Sequence, residues 1–207
     1  MKKCFVIAAL FVFSRHSLLA QSKFYFDLQT GVSVSALKGG NSGNLATTNY
    51  KPGFTAGLGA GFKLSNIWSL QSGINYQSLG GGSDNTLIIP IQGYKKYFLN
   101  YTSIPVLVKL NFPKSNLGIF VGPQYGYLVS KKFETYSGYF ESVNRLRKTD
   151  FAALLGAEYY FPLKTGNHIG LSFKYQFSVN KIDNFESDDL FIKNTGFILT
   201  IGYRFQK

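Results

Sequence analysis

The chain alternates apolar and polar residues over long stretches, beginning with residues 24–35. There Phe24, Phe26 and Leu28 are separated by Tyr25 and Asp27. Because successive side chains of a β-strand point to opposite faces, such a stretch has one largely apolar face and one polar face. The pattern predicts strands at about residues 23–35, 53–64, 67–78, 98–112, 117–130, 149–161, 168–179 and 195–205. We expect these eight strands to close into an all-β antiparallel barrel.

The length and polarity of the strands indicate that the barrel spans a membrane. Each stretch meets or slightly exceeds the 9–11 residues that a tilted transmembrane strand needs. The face opposite the apolar one is rich in Gly, Ser, Gln and isolated charges, which is typical of a narrow, filled barrel interior. Charged residues make up only 15% of the chain and aromatic residues 17%, which suits an outer surface that does not face water. A soluble lipocalin-like barrel is the structural alternative.

The connections between the predicted strands alternate between long and short. The long ones cover about 36–52, 79–97, 131–148 and 180–194, and the short ones lie near 65–66, 113–116 and 162–167. Transmembrane barrels have short periplasmic turns and long extracellular loops. We therefore expect both termini on the periplasmic side of an outer membrane.

The amino terminus has the pattern of a secretory signal peptide. Lys2 and Lys3 precede an apolar run at 4–13, and Ala20 provides a cleavage point. We expect residues 1–20 to be cleaved, leaving the barrel domain at 21–207. The run is too short for a membrane anchor, which needs about 20 apolar residues. Since the single cysteine is Cys4, the mature chain would contain no thiol and no disulfide.

The net charge indicates an anionic partner at the membrane. The full chain carries a formal charge of +12, and removing Lys2, Lys3 and Arg15 leaves 19 basic and 10 acidic residues, or +9. An exported protein rarely meets nucleic acid, so we expect none as a partner. Outer-membrane lipid and the phosphates of lipopolysaccharide are the expected partners.

Several motifs in the second half of the chain resemble a known family. These are the stretch 101–109 (YTSIPVLVK), the stretch 118–128 (GIFVGPQYGYL), the segment 150–157 (DFAALLGA) and the ending 202–205 (GYRF). Together they resemble the small outer-membrane β-barrel proteins often called PorT-like. The resemblance implies an outer-membrane location in a Gram-negative cell. It does not point to any particular activity.

Two details depart from a regular outer-membrane barrel. Such barrels commonly end in an aromatic residue that the assembly machinery reads during insertion, whereas here Gln206 and Lys207 follow Phe205. We still expect that machinery to be a partner. Pro105 and Pro123 lie inside predicted strands, where proline cannot donate a ladder hydrogen bond. They predict local bulges, or an opposing carbonyl group that bonds to water.

Charged residues on the polar faces predict an ionic network inside the barrel. The set comprises Asp27, Lys63, Lys109, Asp150, Glu158, Lys174 and Arg204. Buried charges need partners, and Asp27 and Arg204 lie at similar depth on the first and last strands. Glu158 could reach either Lys109 or Lys174. The network predicts a structural plug, and the alternative is a selective conduit.

The connection at 131–148 combines basic and aromatic residues. Its cations are Lys131, Lys132, Arg145, Arg147 and Lys148. This loop could contact lipopolysaccharide phosphates or an extracellular ligand, or be simply a solvated loop.

The sequence offers no constellation for catalysis. The mature chain has one histidine, His168, which falls at the periplasmic start of the seventh predicted strand and has no serine or carboxylate partner at a recognisable spacing. We expect no cofactor, no metal site and no enzymatic activity. The sequence predicts a structural or surface-interaction role, with a narrow transport or secretion-associated barrel as the alternative and a hydrolase as a third hypothesis. It names no protein partner.

Overall fold

The computed structural model describes residues 23–41, 44–82, 94–135, 138–140, 146–184 and 191–206. It contains ten strands: β1 Phe24–Asn41, β2 Asn44–Thr47, β3 Lys51–Lys63, β4 Trp68–Gly82, β5 Tyr94–Phe112, β6 Leu117–Thr135, β7 Gly138–Phe140, β8 Thr149–Pro162, β9 His168–Ser178 and β10 Phe191–Gln206. Within these ranges no helix is long and apolar enough to cross a bilayer. The predicted signal peptide lies outside the described residues and stays a prediction.

Eight of the strands form one closed antiparallel sheet. Their order is β10-β9-β8-β6-β5-β4-β3-β1, and β1 pairs with β10 to complete the ring. That seam is continuous from Tyr25 opposite Gln206 to Gly40 opposite Phe191. The predicted eight-stranded barrel is therefore confirmed. β2 pairs with β1 and β7 pairs with β6, so both lie outside the ring.

The apolar face of every barrel strand points outward, as predicted. Phe173 and Leu199 are 51% and 45% exposed, whereas Ser103 and Lys109 on the other face are 0% and 2% exposed. Large apolar side chains cover the outside from one end of the barrel to the other, including Phe26, Leu58, Ile74, Val106, Val121, Leu155, Leu171 and Ile201. This distribution suits a barrel whose outer solvent is hydrocarbon.

Three short turns connect the strands at the periplasmic end, at 64–67, 113–116 and 163–167. In the first turn the Ser65 hydroxyl accepts the N–H groups of Ile67 and Trp68. In the other two, Asn116 and Gly166 take φ values of 55° and 82°, a region that asparagine and glycine enter most readily. Turn chemistry thus sets the tight reversals at this end.

The predicted strand boundaries at the extracellular end were wrong. β1 continues to Asn41, β4 to Gly82 and β6 to Thr135, while β5 and β10 begin at Tyr94 and Phe191. Much of what the sequence predicted as loop is therefore a raised β-sheet rim. The physical reason is a change of pattern: along these extensions the apolar side chains point inward, so the outward alternation used for prediction ends early.

The inward apolar side chains of the rim form their own core. It consists of Leu37, Leu79, Tyr97, Leu99, Tyr101, Leu128, Phe133, Ile182 and Ile192. A bulge at Val129 contributes, because Asn100 pairs with Ser130 but Tyr101 pairs with Leu128. One extra residue reverses which face a side chain takes, and Phe133 consequently points inward with 2% exposure. We call this cluster the rim core.

No bulge occurs at either proline. Pairing between β5 and β6 is interrupted after Pro105 opposite Gln124 and resumes in the same register at Val108 opposite Val121. Pro123 stays paired with Ala153. The Ser72 hydroxyl donates to the Pro105 carbonyl oxygen at 2.8 Å. A proline lacks the N–H group, so the ladder loses a hydrogen bond, but no extra residue is inserted. The expected bulges were therefore wrong, and the ladder has a gap instead.

Ile182 tests the contribution of the rim core to stability. It is 0% exposed, and removing one buried methyl group costs about 0.5–1.5 kcal/mol. We expect Ile182→Val to lower the free energy of unfolding in lipid vesicles by that amount, measured by urea titration. Ile67→Val is the matched control, because Ile67 is 47% exposed. Equal losses in both variants would contradict a packed rim.

Candidate functional site

The lower part of the lumen contains a bidentate ion pair at the barrel seam. Asp27 and Arg204 face each other across β1 and β10. The Arg204 Nε and Nη2 atoms lie 2.7 and 2.8 Å from the two Asp27 carboxylate oxygens. Such fork-shaped contacts combine strength with fixed geometry. The pair therefore ties the first strand to the last one in the barrel interior.

Two tyrosine rings hold the Arg204 guanidinium between them. Its central carbon lies 3.8 Å from the Tyr25 ring centroid and 3.9 Å from the Tyr160 ring centroid. Gly61 and Gly170 make room for these rings, since a Cβ atom at either position would overlap the adjacent tyrosine. Cation–π contacts gain strength when they are desolvated. Arg204 is 6% exposed, so its orientation is fixed from several sides.

A second ion pair crosses the lumen from β5 to β8. The Lys109 Nζ atom lies 2.6 Å from Glu158 Oε2, and the two side chains are 2% and 5% exposed. The other carboxylate oxygen of Glu158 lies 3.9 Å from Arg204 Nη2. The structure thus brings together Asp27, Lys109, Glu158 and Arg204, and it resolves the two partners left open for Glu158 in favour of Lys109.

The remaining predicted lumen charges form no ion pair with this group within the described part of the chain. Lys174 donates to the Gln29 side-chain oxygen at 2.7 Å. Asp150 accepts from the Ser178 hydroxyl and the Asn194 amide at 2.9 and 2.8 Å. Neither Asp150 nor Lys174 forms an ion pair within the described part of the chain. Lys63 lines the periplasmic mouth near His168 and Arg204.

Apolar side chains and amides fill the middle of the lumen. Leu107, Phe120 and Leu154 form a small buried cluster. Above it the Gln124 amide donates to both Gln77 and Gln176, at 3.1 and 3.2 Å. The sequence placed Leu107, Phe120 and Gln124 on the inner face but did not single them out, because no charge or motif marks them.

The space left inside the barrel is very small. The central cavity has a volume of about 40 Å³. A single water molecule needs roughly 10–15 Å³ on this measure, so the cavity holds only a few waters. Side chains therefore close the lumen between its two ends.

The basic residues at 131–148 line a groove on the outside of the rim. Lys131, Arg147 and Lys148 surround it together with Tyr127 and Val129, and its volume is about 660 Å³. The Arg147 Nε atom donates to the carbonyl oxygen of Asp183 at 2.8 Å, which fixes this side chain. Lys132 is exposed on the adjacent stretch of β6. Arg145 lies outside the described residues. We call this surface the basic groove.

His168 lies at the first residue of β9, at the periplasmic mouth. Its ring contacts the Tyr160 ring edge-to-face at 6.1 Å. Over the ranges that the structure describes, no group of three or more His, Cys, Asp or Glu side chains could hold a metal ion. The buried Nδ1 atom of His168 has no hydrogen-bond partner among the described residues.

A closed eight-stranded ring with an apolar exterior and a filled polar lumen defines an integral β-barrel membrane protein. The sequence agrees, because residues 19–184 match the family described as outer membrane protein beta-barrel domain. The chain belongs to that family, and it is an integral β-barrel of the outer membrane. The more specific PorT-like designation stays a prediction. No curated protein matches the chain.

Several solved outer-membrane structures are similar to this chain. Ail, the attachment invasion locus protein of Yersinia pestis, is 18% identical over 88% of this chain and 99% of its own, with a TM-score of 0.46. OprG of Pseudomonas aeruginosa is 9% identical over 91% and 98%, with a TM-score of 0.49. The outer membrane protease OmpT of Escherichia coli is 8% identical over 90% and 97%, with a TM-score of 0.39.

Proposed function

We propose that this protein is a closed, non-conducting outer-membrane barrel with a structural or surface-interaction role and no enzymatic activity. The observation that carries the proposal is the filled lumen. The Lys109–Glu158 pair crosses it at 2.6 Å, Arg204 lies between two tyrosine rings, and about 40 Å³ remains free. An eight-stranded barrel is just wide enough for side chains to fill. A hydrated ion has no continuous path through this interior.

The rim supports the surface-interaction part of the proposal. Its apolar core holds the strand extensions together beyond the lipid-facing bands, so the connections between them start from a folded platform. The basic groove lies on that platform, directly above the exposed Tyr127 and Val129 side chains. We propose that it contacts an anionic ligand, namely lipopolysaccharide phosphate or an acidic molecule outside the cell. The guanidinium of Arg147, whose Nε is already bonded, presents its remaining N–H groups for such a contact.

Two further elements of the proposal concern chemistry and assembly. His168 lies at the periplasmic mouth with an aromatic neighbour, which favours a packing role over acid–base catalysis. We therefore expect cells that produce the wild type, cells that produce His168→Ala and cells that lack the protein to have the same lipid A. We also propose that the outer-membrane assembly machinery reads the exposed Phe205 near the carboxyl end.

Conductance separates a closed barrel from the alternative of narrow transport or secretion-associated activity. We expect the mature chain, inserted in a planar bilayer, to carry no ion current above that of the bare membrane. Heat-modifiable gel mobility of the same sample controls for folded, inserted protein. Stepwise currents in the wild type that change in Lys109→Met would contradict the proposal, because they would show ions passing the Lys109–Glu158 pair.

A further inference from the structure

Two lysines face each other on the outside of the seam that closes the barrel. In the β1–β10 ladder Lys38 lies opposite Lys193, and four pairs below them Val34 lies opposite Phe197. Val34 and Phe197 are lipid-facing, with 38% and 39% exposure. Four residues span about 13 Å along a strand, or about 10 Å vertically at the usual barrel tilt. The lysines therefore lie at the level of lipid head groups in the outer leaflet.

Like charges at directly opposed positions are unfavourable in a sheet. The pairing of β5 with β6 on the opposite side of the ring shows the ordinary solution, because Lys96 lies opposite Glu134 and their charged atoms are 3.5 Å apart. At Lys38 and Lys193 the described residues supply no carboxylate partner. The nearby Asp183 is 0% exposed and accepts the backbone N–H of Ile192 at 2.5 Å. An anion bound at this position would relieve the repulsion between the two lysines.

The Lys193 side chain is held rather than free to move away. Its Nζ atom donates to the Val179 carbonyl oxygen at 2.9 Å and lies 5.8 Å from the Phe191 ring centroid. An ammonium group has three donors, so one hydrogen bond leaves donors for an anion. Lys38 is exposed beside it. Because Val179 follows β9, a phosphate that contacts both ammonium groups requires the exposed Lys38 side chain to turn toward Lys193.

An aromatic surface lies directly below the lysines, facing lipid. The Phe197 ring stacks on Phe173 at 5.7 Å between centroids, and it contacts Tyr175 at 5.1 Å and Tyr50 at 6.4 Å. Phe173 and Tyr50 are 51% and 52% exposed. Such rings offer a flat apolar surface to acyl chains just where the cations would bind a head group. We call Tyr50, Phe173, Tyr175 and Phe197 the seam aromatic surface.

We propose that Lys38 and Lys193 bind a phosphate of a phosphorylated glycolipid of the outer leaflet, with its acyl chains packed on the seam aromatic surface. The proposal deepens the surface-interaction role by naming a partner and a position. It predicts that the lipid occupies the seam itself, so that one molecule contacts both the first and the last strand of the barrel. Lipopolysaccharide, through its lipid A phosphates, has the required chemistry.

The test uses the full mature chain in phosphatidylcholine vesicles with and without diphosphoryl lipid A. The variant Lys38→Gln/Lys193→Gln removes both cations. Without lipid A we expect it to be as stable as the wild type or more stable in urea, because the repulsion is gone. With lipid A the wild type should gain stability and the variant should not. We expect lipid A affinity to fall about tenfold, the size expected for losing one net charge-assisted hydrogen bond.

The matched control is Lys114→Gln/Lys164→Gln, which removes the same charge from two exposed periplasmic turns. It should keep lipid A affinity within about twofold of the wild type, because losing exposed surface charges has only a small effect. Dephosphorylated lipid A and inorganic phosphate should each fail to stabilise the wild type, which separates a lipid phosphate from bare acyl chains and from a free anion. Unchanged lipid A binding by the seam variant, or an equal loss in the control variant, would overturn the proposal. Neither result bears on conductance.

Discussion

Replacing Lys109 by methionine is expected to lower the free energy of unfolding by about 3–5 kcal/mol. The variant leaves the Glu158 carboxylate 5% exposed without the ammonium group that lies 2.6 Å away in the wild type. Arg204, at 3.9 Å, is already bound by Asp27 and stacked between two rings, so it cannot replace that contact. Urea unfolding in vesicles, followed by the fluorescence of the single tryptophan, Trp68, measures the change.

The double variant Lys109→Met/Glu158→Leu separates the cost of an unpaired charge from the value of the pair. Replacing both partners with apolar groups is often neutral, because neither charge is then buried alone. We expect the double variant to recover most of the stability that the single variant loses. Lys164→Met, in an exposed periplasmic turn, should change stability by no more than about 0.5 kcal/mol. A loss below about 1 kcal/mol in Lys109→Met would show that the pair lies in a far more hydrated lumen.

Arginine in place of Val121, on the lipid-facing side of β6, is expected to cost about 2–4 kcal/mol. Val121 lies on the apolar face with 58% exposure, between the aromatic side chains near the two ends of the barrel. An arginine there must either enter hydrocarbon or draw water and head groups inward. We expect Val121→Arg to reduce both the urea midpoint and the folded fraction on heat-modifiable gels.

Val129 provides a control on the same strand with the same substitution. It is 49% exposed and lies beyond Tyr125 and Tyr127, toward the extracellular side. Arginine near the interface costs only about 0–1 kcal/mol, so Val129→Arg should be nearly neutral. Equal losses at the two positions would show that depth in the bilayer does not matter. That result would contradict a hydrocarbon surface around β6.

The transmembrane part of the fold could be predicted from the sequence because one rule governs it. Outward side chains meet hydrocarbon and inward ones meet a crowded polar lumen. The polarity of residues such as Leu199 and Thr200 therefore indicates which face of the sheet they occupy. The seam register followed from the same rule, since Asp27 and Arg204 face inward at equal depth on strands that must pair. The alternation of faces also placed Lys109 and Glu158 inside the barrel. Spacing alone could not decide whether Lys109 or Lys174 is the partner of Glu158.

The rim could not be predicted in the same way because the rule reverses there. Leu37 and Leu79 point inward among apolar neighbours, while Lys96 points outward into water. A search for outward apolar residues ends at this reversal and assigns a loop. The bulge at Val129 adds a local change of register. No residue type at this position indicates a bulge, so it could not be predicted. The opposed lysines of the seam were missed for the same reason, because both lie in segments that the sequence assigned to loops.

That reversal also determines how deeply the protein sits in its membrane. Raising the barrel by one pair of residues would expose the lower hydrocarbon-facing side chains to water, while lowering it would press Lys38, Lys96 and Lys193 into the acyl chains. The residue pattern of the strands therefore fixes the depth of the barrel in the bilayer. In a homologous barrel adapted to a thinner bilayer, the point at which apolar side chains change from the outer to the inner face would have to move along all eight strands together. The thickness of the lipid-facing band is therefore a property of the whole sheet.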